Sequence, residues 1–462
     1  MATGWLKRTG YPTVSVEHME LSNGDLIVTL KQSGFEDHVE AEQYPWIIPL
    51  DYAIVVNGKN VKTGLHILQN ESEVITISIG NDDTPPLEEG KFIFSIGRDW
   101  SFFGTVEMKC LTGEMKILQA LYDTDPVNRY LAFRSIVDEK KGIIIDALVN
   151  SNDDESLIYA NPSSDEQFKD YLKLVGTILE DDSLSPATKA KLLVLEESCP
   201  SRPDLQHYYQ AIADCNSILS AAIYRAHGPL LIHIFDKLTS LNVPNQPQKD
   251  GLTLRPLKNL VLKFLCESSS SANGHDVHDC VARALNQLKT STYMSDKSSA
   301  FVRLLELAST DNEIAGSLKP VFDTVKKEWS AHPIGCEAYI SAVCQADCKA
   351  SATYIKNLTQ ESFFQWQLAG HARTVARGWS GNRKRALMTD DGLALTIELF
   401  FTVGKINQMS AYSFLSAFGD VGKFKGDSQS RLVDALRTMQ NGLDEKKQES
   451  LHKQLNMILS KF

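Results

Sequence analysis

The sequence predicts a multidomain protein in which a small antiparallel β-sandwich is followed by an all-helical α-solenoid of the armadillo or HEAT kind. Short β-rich runs separated by two Asn-Gly turns fill the first hundred residues, and helical spacing of apolar residues starts near residue 113 and continues to the end. At 462 residues the chain is also too long for one hydrophobic core. We expect a short tail over 1–10, the β-sandwich over 11–112 and the helical domain over 113–462.

The turns define the β region. Asn23-Gly24 and Asn57-Gly58 are the strongest short signals for a hairpin, because both residues tolerate the positive φ that such turns require. Several short strands with turns between them, and no helix among them, are typical of a small antiparallel sandwich. Five runs rich in β-branched and aromatic residues are the strand candidates: 13–16, 26–30, 46–56, 74–79 and 92–96.

The helical region shows apolar residues at three- and four-residue spacing, from 115–121 at its start to 451–462 at its end. Ser164-Asp-Glu-Gln167 has the form of a capping box, and the apolar residues of 168–179 fall on one face behind it. Ser185-Pro186 offers an N-cap followed by proline at the first helical position. Because no fixed repeat length is visible, we expect an irregular solenoid of stacked helix pairs.

Composition and charge exclude several classes of partner. The net charge of −11 speaks against nucleic acid, because neutralising phosphates requires a surplus of Lys and Arg. No apolar run approaches the roughly 20 residues of a membrane-spanning helix, and the N-terminus has no signal-peptide pattern. The eight cysteines are scattered through a long chain, which is typical of reduced thiols. We therefore expect a cytoplasmic protein without membrane or nucleic-acid partners.

The sequence contains no motif for catalysis. There is no His-Glu dipeptide, hence no H-E-x-x-H zinc helix, and no G-x-S-x-G, phosphate-binding loop or G-x-G-x-x-G. We predict neither catalytic residues nor metal ligands. Two groups of His and Cys residues could in principle bind a metal, but we interpret both as structural. His275, His278 and Cys280 flank a Ser-rich loop and are predicted at the surface, whereas three thiols on one helical face, Cys336, Cys344 and Cys348, are predicted in the core.

One basic segment has several interpretations. A solvated helix end is the favoured one, and nucleic-acid binding would want more interleaved aromatics than Trp379 alone. An anionic ligand such as a peptide carboxylate is the third, because the planar fork of arginine matches it. The segment holds the densest positive cluster in the chain: Arg373, Arg377, Arg383, Lys384 and Arg385.

Several stretches resemble one family in the order in which that family has them. Residues 255–265 resemble the R-x-L-[RK]-N-x-x-L-x-x-L helix in the C-terminal domain of bacterial-type aminopeptidase N, and Tyr293-Met-Ser-Asp296 resembles the N-M-[ST]-D start of the next helix. Phe322 with Trp329 is similar to an aromatic pair that follows there. Residues 373–392 resemble the family's R-S-L segment and its E-D-G, and 5–14 resemble the seam between its catalytic domain and its β-sandwich.

The resemblance implies an architecture and an activity. The family has an N-terminal β saddle, a thermolysin-like zinc domain, a small β-sandwich and a helical bowl, so residues 1–10 would be the tail of the zinc domain. The complete protein would be a zinc metalloaminopeptidase that removes N-terminal residues from peptides, with a glutamate as general base for zinc-activated water. Zinc would belong to the full-length protein and not to this chain. Without H-E-x-x-H, the chain is expected to be inactive alone.

The resemblance also implies contacts for the helical region. The family's helical bowl closes over the zinc site and touches the peptide, so the expected partners are the peptide substrate and the catalytic and N-terminal domains of the same protein. The arginine of the R-S-L segment corresponds to Arg373, and His371 stands where the family has another arginine. Arg377 is the third candidate contact. The alternative, from the solenoid alone, is a stand-alone protein-interaction scaffold with a concave binding surface.

Overall fold

The computed structural model describes residues 5–6, 10–34, 45–79, 87–150, 166–241, 251–268 and 276–462. The chain divides into two compact units, Met1–Lys140 and Lys141–Phe462. A β region precedes an all-helical region, which confirms the predicted fold class. The domain boundaries predicted after residues 10 and 112 stay predictions.

The β region forms two sheets. In chain order the strands described are β1 Pro12–Ser22, β2 Asp25–Gly34, β3 Ile48–Val56, β4 Lys59–Leu68, β5 Ser72–Ser78, β6 Ile93–Ile96 and β7 Thr105–Met108. The strand orders of the two sheets are β5-β2-β1-β7 and β4-β3-β6. Buried residues of both sheets form one hydrophobic core, among them Val28, Leu30, Ile54 and Phe94. The other strand pairs are antiparallel as predicted, whereas β1 and β7 pair in parallel.

Both Asn-Gly pairs form the predicted hairpin turns. Asn23 and Gly24 have φ of 53° and 87°, and Asn57 and Gly58 have φ of 50° and 70°. Two successive positive φ values give the turn whose twist matches the flanking antiparallel strands. The turns therefore set the register of β1 with β2 and of β3 with β4.

Gln32 of β2 is a buried polar residue with every amide group bonded. Its Nε2 donates to the carbonyl oxygens of Trp46, at 3.0 Å, and of Asn70, at 2.9 Å, and its Oε1 accepts from the backbone N–H of Trp46 at 2.8 Å. A buried amide is tolerated only when it is hydrogen-bonded. The Gln32 side chain therefore holds the backbone at Trp46 and at Asn70 close to β2.

The helical region consists of helices that mostly pack on helices close to them in sequence. Within the described residues the first ten α-helices are α1 Gly113–Tyr122, α2 Pro126–Asn150, α3 Glu166–Glu180, α4 Pro186–Leu193, α5 Tyr209–Ser240, α6 Gly251–Ser268, α7 Val277–Thr290, α8 Met294–Ala308, α9 Asn312–Ser330 and α10 Pro333–Gln345. The others are α11 Ser351–Thr359, α12 Ala369–Gly381, α13 Arg383–Met388, α14 Asp390–Gly404, α15 Gln408–Ser416, α16 Gly426–Asn441 and α17 Glu449–Leu459. Short 3₁₀ turns lie at Arg98–Trp100, Pro203–Leu205 and Ala417–Lys423.

The predicted helix signals have mixed outcomes. Ser185 caps α4, its hydroxyl accepting from the Thr188 N–H at 3.1 Å. The apolar face of α3 is buried as predicted, whereas Ser164 of the proposed capping box lies outside the described residues. In α17, Leu451 and Leu455 are buried, but the helix ends at Leu459 and Phe462 is exposed.

The long helix α5 is the exception to the expectation that no segment could span a membrane. Among the described helices it alone is long and apolar enough by length and composition, and 44% of its most apolar window is buried inside the protein. Its backbone departs from helical geometry at His227, and Pro229 lies within it. It packs along α6.

Candidate functional site

Two of the resembling motifs meet in one buried polar cluster. Lys258 of α6 and Asp296 of α8 form an ion pair with Nζ and Oδ2 2.5 Å apart, and both side chains are almost fully buried. Asn259 donates to Asp296 Oδ1 at 3.0 Å, and the hydroxyl of Ser291 donates to Oδ2 at 3.2 Å. The Arg255 guanidinium lies 4.0 Å from the centre of the Tyr293 ring. The spacing of these motifs thus serves to clamp α6 against α8.

The aromatic pair of the third motif is also structural. The Phe301 ring of α8 lies 5.6 Å from the Phe322 ring and 5.5 Å from the Trp329 ring, centre to centre. Offset and edge-on contacts at these separations stabilise aromatic cores. The contacts given for these motifs join neighbouring helices of the core.

The R-S-L-like segment forms α12, and the buried side of this helix contacts α10 and α14. Trp379 is fully buried, and its Nε1–H donates to the Thr396 hydroxyl of α14 at 2.8 Å. Gly378 lets α12 approach α10 closely, since a Cβ there would lie 2.8 Å from the Cβ of Cys344. After α12 ends, the Asn382 amide donates to the carbonyls of Cys344 and Ala346. The orientation of α12 is therefore fixed by buried contacts.

The outer side of α12 presents Arg373 and Arg377, both exposed. They are four residues apart, so they lie on one face about 6 Å apart along the helix axis. Within the described residues, neither guanidinium forms a hydrogen bond or an ion pair. Two like charges at this spacing destabilise a helix slightly, and an anion bound to both would relieve that repulsion. We refer to these two residues as the arginine face.

His371 does not join the arginine face. It is 7% exposed, its Nε2 lies 3.4 Å from Cys336 Sγ, and its Nδ1 accepts from the Gln365 backbone N–H at 3.2 Å. With Nδ1 occupied as an acceptor, the neutral ring carries its proton on Nε2 and donates it toward sulfur. Burial lowers the pKa of His371, with the Glu337 carboxylate opposing, and raises that of Cys336. The pair is thus a packed thiol and a neutral imidazole, not an activated nucleophile with its base.

The remaining basic residues of the segment are ion-paired. Arg383 Nη1 lies 2.6 Å from Asp420, Arg385 Nε lies 2.6 Å from Asp347, and Lys384 Nζ lies 3.2 Å from Asp214. The positive cluster seen in the sequence is therefore divided into a paired part that ties elements together and the arginine face. Sequence spacing could not separate the two, because their acidic partners lie 37 or more residues away.

The weaker cysteine and histidine sets are resolved in part. Cys280 is buried, with its thiol 3.3 Å from the Leu265 carbonyl, so the prediction of a surface position was wrong there. His278 is exposed, and His275 lies outside the described residues. Cys336, Cys344 and Cys348 are buried as predicted, although Cys348 lies beyond the end of α10. Among the described residues, no three His, Cys, Asp or Glu side chains come together as a metal site.

Sequence reasoning missed one pocket. It has a volume of about 140 Å³ and lies among the start of α11, the inner side of α12, α13 and the start of α14. Its walls include Lys349, Ala352, Trp379, Arg385 and Asp391. Lys349 and Asp391 are 42 residues apart in the sequence, and no motif connects them.

Comparison with known proteins gives one family and one fold. Residues 114–461 match the family described as a domain of unknown function, DUF3458_C, with ARM repeats. The structure of Legionella pneumophila aminopeptidase A in complex with aspartic acid matches with a TM-score of 0.71 and 15% sequence identity, over 98% of this chain. The chain spans 49%, about half, of that aminopeptidase chain. The comparison with curated proteins found no match.

Proposed function

Because the chain belongs to the DUF3458_C family of ARM-repeat domains, we propose that it is the non-catalytic C-terminal region of a zinc aminopeptidase. In that protein it closes the active-site chamber and contacts the peptide. The observation that carries the proposal is the fold similarity, which takes in 98% of this chain but only half of an aminopeptidase chain. The described residues do not fit a zinc site, since no three suitable donors meet. The metal and its ligands would belong to another part of the protein.

The proposed peptide contact is the arginine face. Guanidinium groups bind carboxylates through two parallel hydrogen bonds, and Arg373 and Arg377 have both forks uncommitted among the described residues. A peptide with a free C-terminal carboxylate can therefore be held here while its N-terminus lies elsewhere. His371 is not part of this contact, because its ring is buried against Cys336.

The proposed partners beyond the peptide are the catalytic and N-terminal domains of the same protein, and the proposed location is the cytoplasm. All eight cysteines are free thiols, and seven of them are buried. Free thiols in this number support a reducing compartment.

A direct binding measurement tests the peptide contact. A fluorescently labelled peptide with a free C-terminal carboxylate is titrated with the chain, alongside the same peptide amidated at its C-terminus. We expect the carboxylate form to bind at least about tenfold more tightly, and the double variant Arg373→Ala/Arg377→Ala to remove that preference. Arg437→Ala is the matched control, an exposed arginine on α16. Equal binding of both peptides to all variants would contradict the contact.

An activity measurement tests the rest of the proposal. The chain with added zinc should not hydrolyse an aminoacyl arylamide, and addition of a separately produced catalytic half of the same protein should restore turnover. Metal-dependent turnover by the chain alone would refute the non-catalytic assignment. If no catalytic half binds the chain, and a protein without peptidase activity binds its helical region stoichiometrically, the scaffold alternative is correct.

A further inference from the structure

One short loop of the β region holds two aromatic side chains in solvent. Trp100 is 74% exposed and Phe103 is 73% exposed, whereas the next most exposed tryptophan or phenylalanine among the described residues, Phe462, is 44% exposed. Three residues of chain span at most about 10 Å, so the two side chains belong to one patch of surface. Apolar surface that is exposed in a patch marks a site of interaction, whereas single exposed residues are common.

The backbone of this loop is strained. Gly97, Asp99 and Trp100 have φ of 68°, 52° and 55°. Glycine adopts such left-handed values without cost, but for a bulky aromatic residue they are unfavourable, because the Cβ atom lies too close to the backbone. Strained conformations of this kind persist only where the surrounding structure imposes them, and they cluster at functional sites.

Polar contacts impose the conformation of the loop. The backbone N–H of Asp99 donates to Oδ2 of the buried Asp125 at 3.0 Å. The Arg98 guanidinium donates from Nη1 to the Ser95 hydroxyl at 2.9 Å and from Nη2 to the Thr124 hydroxyl at 3.0 Å. The tryptophan that follows is therefore presented to solvent by a turn whose own side chains are bonded to the rest of the β region.

Phe103 is held beside the segment that leads into β1. Its ring meets the Tyr11 ring edge-on, with the ring centres 5.6 Å apart. The following Gly104 lies against the same segment, since a Cβ there would be 2.3 Å from the Pro12 carbonyl oxygen. Trp5 packs against the core of the two sheets. It lies six residues before Tyr11, so a polypeptide joined ahead of Trp5 would begin within about 20 Å of Tyr11.

We propose that Trp100 and Phe103 dock into an apolar pocket on the catalytic part of the same protein, an inference that rests on the proposed function. The fold similarity covers 98% of this chain but 49% of an aminopeptidase chain, so a second part of similar length is expected. Joined ahead of Trp5, that part would face the aromatic loop at high effective concentration. Exposed aromatic anchors, tryptophan above all, supply much of the binding energy of such interfaces.

Calorimetric titration of the chain with a separately produced catalytic half of the same protein tests the docking. Trp100→Ser/Phe103→Ser should weaken the association at least about tenfold. The matched control is Val74→Ser/Met409→Ser, which removes two comparably exposed apolar side chains and should bind as the wild type does.

The outcomes separate this inference from the proposed function. If the catalytic half binds the wild-type chain and the aromatic variant equally well, the docking site is refuted and the proposed function stands. If the catalytic half binds neither, the proposed function fails and the docking site fails with it.

Two other occupants of the patch are tested with the chain alone. Sedimentation velocity over a range of concentrations should give the same monomer for the wild type and for Trp100→Ser/Phe103→Ser, and neither should co-sediment with phosphatidylcholine vesicles. A dimer that the aromatic variant abolishes would assign the patch to a second copy. Binding to vesicles that depends on the two aromatic residues would assign it to a membrane surface. Either result would overturn the proposal.

The strain at Trp100 provides a second readout. Trp100→Gly places at this position the residue that tolerates a φ of 55°, so the variant should melt at or above the wild-type temperature. The same variant should bind the catalytic half more weakly, because the anchor is gone. A lower melting temperature would show that Trp100 stabilises the chain itself, and the loop would then be structural.

Discussion

Two regions of the helical unit carry charged residues from motifs of one resemblance, yet their environments are opposite. Lys258 and Asp296 are sealed between α6 and α8, with each carboxylate oxygen accepting hydrogen bonds. Arg373 and Arg377 lie on the outer side of α12 without a partner among the described residues. Removing one partner of the buried pair leaves the other charge buried and uncompensated. Removing one of the exposed arginines leaves no buried charge, because both side chains lie in solvent. A shared motif therefore does not indicate a shared role.

The largest expected effect is on the buried pair. Asp296→Asn keeps the shape of the side chain but leaves the Lys258 ammonium buried without its counter-charge, so we expect a loss of about 3–5 kcal/mol in the free energy of unfolding. Urea denaturation followed by circular dichroism measures it. Asp434→Asn, at an exposed ion pair of α16, is the control and should change stability by less than about 0.5 kcal/mol. Equal losses in both variants would remove the distinction between the two regions.

The next effect concerns the Asp-Asp-Gly motif in the first turn of α14. A Cβ at Gly392 would lie 1.7 Å from the Arg385 carbonyl oxygen, so Gly392→Ala should cost about 1–3 kcal/mol through forced backbone movement. Gly316→Ala in α9 meets open space, and it should stabilise by about 0.5–1 kcal/mol because alanine favours helix. Thermal melts of both variants provide the test. If Gly392→Ala melts at the wild-type temperature, the motif has no packing role.

The stability of the protein should depend on pH through the buried His371 and not through Arg373 and Arg377, which are exposed. Burial lowers the pKa of His371 below its ordinary value of 6.5, so the unfolded chain binds more protons than the folded one just below that pH. The stability due to the neutral ring is present above pH 6.5 and is lost as pH falls. We expect His371→Gln to reduce the difference in urea midpoint between pH 7.5 and 5.5. An unchanged difference would mean that the ring is accessible to solvent when folded.

The smallest expected effect on stability is at the arginine face itself. Arg373→Ala and Arg377→Ala should each alter the free energy of unfolding by no more than about 0.5 kcal/mol, because the side chains lie in solvent and pair with no described residue. Their effect should be seen in peptide binding alone. A loss above about 1 kcal/mol would mean that the arginines are structural, as Lys258 is.

Much of the fold could be predicted because its signals are local. The positive φ of Asn23-Gly24 needs only the two residues of the turn, and the cap at Ser185 needs only the next three. Pairing over long separations was not predictable. The parallel pairing of Thr13 with Thr105 joins residues that no turn relates. For the same reason the sequence misplaced Cys280, whose burial depends on α6 packing over it.

The sequence by itself determined the β-then-α order, the hairpins and the absence of a zinc-binding helix motif, since each depends on residues a few positions apart. Only the tertiary structure decided which charges are committed. Arg385 is paired because the fold brings Asp347, 38 residues earlier in the sequence, next to it. Arg377, eight residues before Arg385, has no such partner among the described residues. Lys349 and Asp391 form one pocket because α11 and α14 converge there. The sequence shows which residues are charged. Whether two opposite charges pair depends on the distance between them, which only the folded structure determines.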